Sequence, residues 1–199
     1  MVIIVDYGMG NAGSIINMLS KLDVECKLSN ETHDLEKARA LILPGVGSFA
    51  QGMLRIKELG LDHIITRLHL NKLPILGICL GAQLLTESSE EHGFNKGLGL
   101  LKGVKTVDLA ELGFSKLPRI GWVNLKTDMS ESFRFYHVHR FFMKCSRKDL
   151  ILGITDDIYS YPVWLNEENV TAVQFHPEKS HRYGFEFFKK WLIENQIKE

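Results

Sequence analysis

The chain has 199 residues, with 45% hydrophobic and 24% charged residues, which is the size and balance of one soluble globular domain. Basic and acidic residues number 24 each, so the formal net charge is zero. That balance argues against nucleic acid or an anionic membrane as the main partner, and no apolar run approaches bilayer-spanning length.

The opening Met1-Val2-Ile3-Ile4-Val5-Asp6 reaches an acid after four apolar residues and has no basic segment, so it is not read as a signal peptide. Val2 to Val5 reads as a buried strand. Asp6-Tyr7-Gly8-Met9-Gly10-Asn11 is a glycine-rich turn. Ile15, Met18, Leu19 and Leu22 then recur at helical spacing. Val24 to Leu28 is a second strand. Ala40 to Leu43 is a third, ended by Pro44-Gly45-Val46-Gly47. Helices are predicted over Gln51 to Glu58 and Leu61 to His69. Ile75 to Ile78 is a fourth strand, followed by helix-like Ala82 to Glu87. In the second half, Val104 to Asp108 and Trp122 to Lys126 alternate apolar with polar residues. Phe135 to Val138, Ile151 to Thr155 and Val163 to Asn166 are further extended candidates. Val170 to Phe175 is a strand running into His176-Pro177-Glu178. Tyr183 to Gln196 closes the chain as a helix, with Phe185, Phe188, Trp191 and Leu192 on its apolar face.

Strand, loop and helix alternate in the first half and extended segments follow in the second. The pattern predicts an α/β fold: a doubly wound, mostly parallel sheet flanked by helices, with an added antiparallel β region, all in a single domain over residues 1–199. Ligands of such sheets bind beyond the carboxyl ends of the strands, so the Asp6–Asn11, Pro44–Ser48 and Cys79 loops are expected to converge.

The three cysteines, Cys26, Cys79 and Cys145, are too few and too widely spaced for a disulfide framework or a zinc knuckle, and a cytoplasmic setting is expected. Cys26 and Cys145 read as packed small residues. Cys79 differs. In Gly77-Ile78-Cys79-Leu80-Gly81 it stands at a strand-to-helix turn with glycines two positions on either side, the layout of a nucleophile elbow. A sulfur at the start of a helix is favoured as thiolate. His176 at a strand end, with Glu178 two residues on and Pro177 restricting the link, can supply a base and its orienter. His137 and His139 flank Val138 but have no further ligands at metal spacing, so they read as strand residues and no metal is expected. Gly8 and Gly10 resemble the start of a dinucleotide fingerprint. Position 13 is Gly13 and no acid follows at a clean strand end, so no cofactor is expected.

Gly77-Ile78-Cys79-Leu80-Gly81-Ala82-Gln83 together with Gln174-Phe175-His176-Pro177-Glu178 resembles the class I (triad) glutamine amidotransferases, which hydrolyse the side-chain amide of glutamine and pass ammonia to an acceptor site. Asp6–Asn11, Pro44–Phe49, Gly121-Trp122, Val138-His139 and His176–Ser180 are similar to the glutaminase subunit of imidazole glycerol phosphate synthase. The resemblance spans residues 6 to 180. It implies Cys79 as nucleophile, His176 as general base and then acid, and Glu178 as the orienter of His176. The Leu80 N–H becomes one oxyanion donor, with Val46 or Gly47 the second, in a loop whose glycines let a peptide flip when a partner docks. Gly45 and Gln83 fall at glutamine-binding positions. Tyr7, Gly8, Met9, Gly10, Asn11, Trp122, Lys179 and Ser180 fall near the interface with a (β/α)8-barrel cyclase, the expected heterodimer partner in histidine biosynthesis.

The chain departs from that family at Arg119, where histidine is usual. Val123 displaces Asn124, Arg140-Phe141 follow His139 in place of Ser or Thr then Tyr, Ala82 replaces a common Met, and His181–Phe185 is less typical. These departures lie outside the triad. They fit a paralogue whose ammonia goes through a related barrel partner to amidine formation on a surface sugar. Other readings are a catalytically silent scaffold, which an intact Cys79, His176 and Glu178 argue against, and a triad cysteine peptidase or γ-glutamyl hydrolase, which Gln83 and Pro44–Gly47 argue against.

Overall fold

The computed structural model describes residues 1–114, 118–128 and 133–198. In chain order the elements are β1 (Val2–Val5), α1 (Ala12–Lys21), β2 (Cys26–Ser29), α2 (Thr32–Glu36), β3 (Ala40–Leu43), α3 (Phe49–Glu58), α4 (Leu61–Leu70), β4 (Ile75–Ile78) and α5 (Leu80–Leu84). The second half holds β5 (Ser88–Ser89), β6 (Asn95–Lys96), β7 (Val104–Asp108), β8 (Arg119–Thr127), β9 (Phe133–His139), β10 (Phe141–Cys145), β11 (Ile151–Thr155), β12 (Pro162–Glu167), β13 (Val170–Val173) and α6 (His181–Glu194).

Nine strands form one sheet in the order β2-β1-β3-β4-β13-β12-β11-β8-β9. The half from β2 to β13 is parallel, and the half from β12 to β9 is antiparallel. Strands β10, β7, β5 and β6 make a separate small sheet. Every residue of β1, β3, β4 and β13 is buried, because helices cover both faces of a parallel sheet. Alternate side chains feed two cores. Val2, Ile4, Ile42 and Ile78 meet α1 and α6 through Ile15, Leu19, Phe187 and Trp191. Ile3, Val5, Leu43 and Ile75 meet α3 and α4 through Phe49, Ile56, Leu61 and Ile65.

The topology closes the largest sequence gap in the fold. β13 pairs in parallel with β4, Val173 opposite Ile78, and the Cys79 N–H donates to Val173 O at 2.8 Å. Cys79 and His176 therefore leave the sheet side by side.

The mixed α/β architecture matches the sequence expectation, with shifts at element ends. β13 ends at Val173 rather than Phe175: the Gln174 N–H still reaches Val163 O on β12, but the His176 N–H turns to Tyr136 O on β9. The helix expected from Ala82 begins at Leu80 and stops at Leu84. Helix α6 starts at His181. Strand β10 and the short α2, β5 and β6 were not foreseen. Two-residue strands carry no periodicity to read, and Phe141–Cys145 lacks clean alternation.

The glycines around Cys79 are required by contact. A Cβ on Gly81 would lie 1.8 Å from Leu43 O, and one on Gly77 would lie 2.6 Å from Ala82 Cα. Gly81→Ala is expected to lower unfolding stability in urea by ~3 kcal/mol or more, since backbone on both sides of the contact would have to move. Gly13→Ala in α1 meets only Asn11 Oδ1 at 3.6 Å, and is expected to raise stability by about 0.5 kcal/mol through helix propensity. Equal effects of the two substitutions would contradict the contact assignment.

Candidate active site

Cys79 is the residue between β4 and α5, with φ 54° and ψ −111°. A non-glycine side chain in that region costs ~1–3 kcal/mol and persists only where its surroundings enforce it. The enforcement comes from the Cys79 N–H bonded to Val173 and from the contact of Gly81 with Leu43. The turn lifts the sulfur above the sheet edge into a cleft of about 510 Å³, lined among others by Val46, Gln83, Glu91, His139, Arg140 and Lys179.

His176 is buried, and its Nδ1–H donates to Glu178 Oε1 at 2.7 Å. This bond leaves Nε2 as the nitrogen available to the sulfur. Nε2 makes no hydrogen bond of standard geometry. Burial is the largest influence on His176 and lowers its pKa, but interactions with the Cys79 sulfur and with Glu178 outweigh it and push the value up to about 10. Behind the ring, Ser180 Oγ donates to His176 O at 2.6 Å and accepts the Tyr136 N–H at 3.0 Å. The His176 backbone is thereby stapled to β9.

The expected oxyanion cradle is not preformed. The Leu80 N–H donates to Gly45 O at 3.3 Å. In a trans peptide the C=O and the following N–H point in opposite directions, so with the Gly45 carbonyl on Leu80 the Val46 N–H is directed away. The loop is braced by Tyr7, whose hydroxyl donates to Pro44 O. Burial, and secondarily the charge at Cys79, raise the Tyr7 pKa, so this donor stays protonated. A Cβ on Gly45 would lie 2.5 Å from the Tyr7 hydroxyl and 2.8 Å from Gly81 N. Gly47, at φ 111°, lies against Met9 Cε.

Gln83 is buried, and its Nε2 donates to Phe141 O at 3.0 Å and to Gln174 Oε1 at 3.1 Å. Its Oε1 is thus the end left to accept from a ligand. Two residues of the site were not singled out from the sequence. Glu91 is a buried acid on the cleft wall whose Oε2 accepts the Phe49 N–H at 2.7 Å. It lies among neighbouring acids that carry no periodic signal. Gln174 is fully buried beside the sulfur. It stood in the Gln174–Glu178 motif without a role, and nothing in the sequence fixed its direction.

The expected partner-facing set divides. Gly8, Gly10, Asn11 and Lys179 are exposed, Met9 is half-buried, and Trp122 stacks on His181 at 5.7 Å beneath the Arg134 guanidinium. Tyr7 and Ser180 are buried, at 1% and 0% exposure. Their hydroxyls are committed inside the chain, one bracing the Pro44 loop and the other holding His176. The departures have local partners. Arg119 pairs with Asp157. Val123 points into the core while Trp122 and Asn124 share the outer face of β8. Arg140 forms a forked pair with Asp108 at 2.8 and 2.9 Å. His137 and His139 point inward from β9 and hydrogen-bond to each other at 3.2 Å. Burial holds both well below the ordinary histidine range, His139 at about 3. Among the described residues no cluster of three or more His, Cys, Asp and Glu side chains could hold a metal ion, and no helix is long and apolar enough to cross a membrane.

Such an elbow, with a histidine and a carboxylate beside it on a doubly wound sheet, is the layout of a triad-type site. A family model described as Glutamine amidotransferase class-I matches residues 3–195. The imidazole glycerol phosphate synthase subunit HisH 2 of Methanococcus maripaludis is 43% identical, over 100% of both chains. HisH 2 of Pseudomonas aeruginosa is 35% identical over 96% of this chain and 98% of that one. Among solved structures, a glutamine amidotransferase superposes with TM-score 0.78 at 22% identity, covering 98% of this chain and 100% of that one. PurLQS from Thermotoga maritima does so with TM-score 0.77 at 20% identity, covering 99% and 98%. The chain belongs to the class-I glutamine amidotransferase family, and the superpositions establish its fold.

The raised His176 pKa makes a prediction about stability. A histidine raised above its unfolded value near 6.5 contributes stability that is complete below that pH and is lost as pH rises through the folded value, here about 10. The thermal stability of the protein relative to His176→Gln is therefore expected to shrink steadily from pH 7 to pH 10. A difference that stays constant or grows over that range would contradict the charged pairing.

Proposed function

We propose that this chain is the glutaminase subunit of an imidazole glycerol phosphate synthase, cytoplasmic, and docked on a (β/α)8-barrel cyclase to which it channels ammonia. The cyclase product pair would be imidazole glycerol phosphate and aminoimidazole carboxamide ribotide, in histidine biosynthesis. The observation that carries the reading is the triad geometry: Cys79 and His176 at the ends of adjacent strands, with Glu178 at 2.7 Å from His176 Nδ1. The full-length likeness to the HisH proteins supports the choice of complex.

The chemistry follows from the residues. The Cys79 sulfur adds to the carboxamide carbon of glutamine, and the carbonyl π pair moves onto oxygen. The C–N bond then breaks as His176 Nε2–H protonates the leaving nitrogen, which departs as ammonia and leaves a thioester. His176, now neutral, removes a proton from water, whose oxygen attacks the thioester carbon. Collapse gives glutamate and returns the proton to the Cys79–His176 pair. Glu178 keeps His176 in the tautomer this sequence needs. Gln83 Oε1 and the Glu91 carboxylate are the acceptors suited to the α-ammonium of glutamine.

The oxyanion requires donors, and in the resting loop the Gly45 carbonyl is where one is needed. Rotating the Gly45–Val46 peptide would free the Leu80 N–H and aim the Val46 N–H alongside it. Met9, on the partner-facing loop, rests on Gly47, and this contact gives a docked barrel a lever on that peptide. One oxyanion donor is worth about 10²–10³ in rate.

The second reading keeps the glutaminase and changes the ammonia acceptor to an amidine-forming step on a surface sugar, through a related barrel. It is favoured by the Arg119 and Arg140-Phe141 departures and by two HisH 2 names among the relatives.

Glutamine turnover by the chain alone is expected to be at least ~10²-fold below that of its complex with the cognate barrel, and Cys79→Ala is expected to abolish it in the complex. A complex with no turnover would contradict the enzyme reading. Rescue of a histidine auxotroph lacking its own glutaminase subunit is the expected result for the histidine pathway. A stable, glutamine-hydrolysing complex that fails to rescue would move the assignment to the second acceptor.

A further inference from the structure

One buried amide next to the sulfur has no part in the triad. Gln174 is 0% exposed, and its Nε2 donates to Cys79 Sγ at 3.8 Å. The direction of this amide is set by its neighbours. Gln174 Oε1 accepts from Gln83 Nε2 at 3.1 Å. A reversed Gln174 would put its NH2 against the NH2 of Gln83, donor facing donor.

Gln83 is itself fixed, since its other N–H goes to Phe141 O. That carbonyl also takes the Nδ1–H of His139 at 2.9 Å. With Nδ1 donating, His139 Nε2 is the acceptor, and it receives the Nδ1–H of His137 at 3.2 Å and faces the Tyr161 hydroxyl at 3.4 Å. The Phe141 carbonyl at the start of β10 thus fixes two successive amides, and the last N–H of the row ends on the sulfur.

We propose that Gln174 is a permanent hydrogen-bond donor to the Cys79 thiolate, set beside His176 as a second and non-titrating partner. The two donors differ in one respect. His176 gives its proton to the leaving nitrogen, is neutral in the thioester, and regains a proton only as water attacks, before the sulfur departs as an anion. An amide N–H cannot be given up, so Gln174 supports the thiolate both before attack and at its release. The Val138 carbonyl lies 3.9 Å from the same sulfur. It favours the thiol and would oppose the anion, and the Gln174 N–H offsets it. No bond other than this hydrogen bond is made or broken.

The inference rests on Cys79 being the nucleophile. Titratable or charged groups around the sulfur are His176 with Glu178, Tyr7 from the loop after β1, and, along the cleft, Glu91, His92, His139, Arg140 and Lys179. The test is the pH dependence of Cys79 alkylation by iodoacetamide in the complex with the barrel. For Gln174→Met, of similar length, the alkylation rate at pH 7 is expected to fall about tenfold and its midpoint to rise by about one pH unit, as loss of one charge-assisted donor requires. kcat for glutamine should fall by a similar factor. Gln174→Glu, which keeps an acceptor for Gln83 but removes the donor, should be slower still. In the unsubstituted protein, the side-chain ¹⁵N–H resonances of Gln174 should shift with the same midpoint as alkylation and stop doing so in Cys79→Ala. An unchanged midpoint in folded Gln174→Met, or Gln174 resonances indifferent to Cys79, overturns the inference. Glutamine turnover surviving in Cys79→Ala would instead remove the nucleophile reading beneath it.

Discussion

The site depends on one close approach, the backbone of Gly81 against the carbonyl of Leu43. No side chain fits there, since a Cβ would stand 1.8 Å from that oxygen. The contact pulls the start of α5 down onto the end of β3, and Cys79 is left with a backbone that L-residues seldom adopt. The strained backbone and the placement of the sulfur on the cleft are thus the same fact. The parallel pairing of β13 with β4 then delivers His176 to the same edge without any local sequence link.

A second consequence concerns readiness. The base and its carboxylate are in place, held by Ser180 and by the pairing with β9. The electrostatic half of the site is withheld, because the Gly45 carbonyl satisfies the Leu80 N–H. In the proposed function, such an arrangement would limit wasteful release of ammonia when no acceptor is docked. The control sits in the one peptide between Gly45 and Val46, in a loop braced from below by Tyr7 and touched at Gly47 by Met9. Buried Tyr7 is part of the loop's support.

Much of this was legible in the sequence where chemistry and geometry coincide. Four-residue apolar runs gave β1, β3 and β4 because strands buried on both faces need continuous apolar residues. Cys79 with flanking glycines, and His176 with Glu178, were readable because each depends on its immediate neighbours. The remainder was not local. Ser180 lay beside the triad in sequence, yet only the fold reveals that its hydroxyl faces inward. Glu91 and Gln174 belong to the site through contacts with Phe49, Gln83 and Cys79, at separations of 42, 91 and 95 residues, which no periodicity records. The orientation of the Gly45 peptide is a choice between two conformers of one sequence, and composition cannot select between them.

The central claim is that the cradle is closed at rest and opens around the reacting amide. It is tested most directly by a crystal structure of the complex with its barrel, trapped by an electrophilic glutamine analogue that alkylates the nucleophile. The account predicts a covalent bond to Cys79 Sγ, the Gly45 carbonyl turned away from Leu80, and the Leu80 and Val46 N–H groups both on the analogue's oxygen. An adduct on another residue, or an adduct on Cys79 with the Gly45 carbonyl still on the Leu80 N–H, would contradict it.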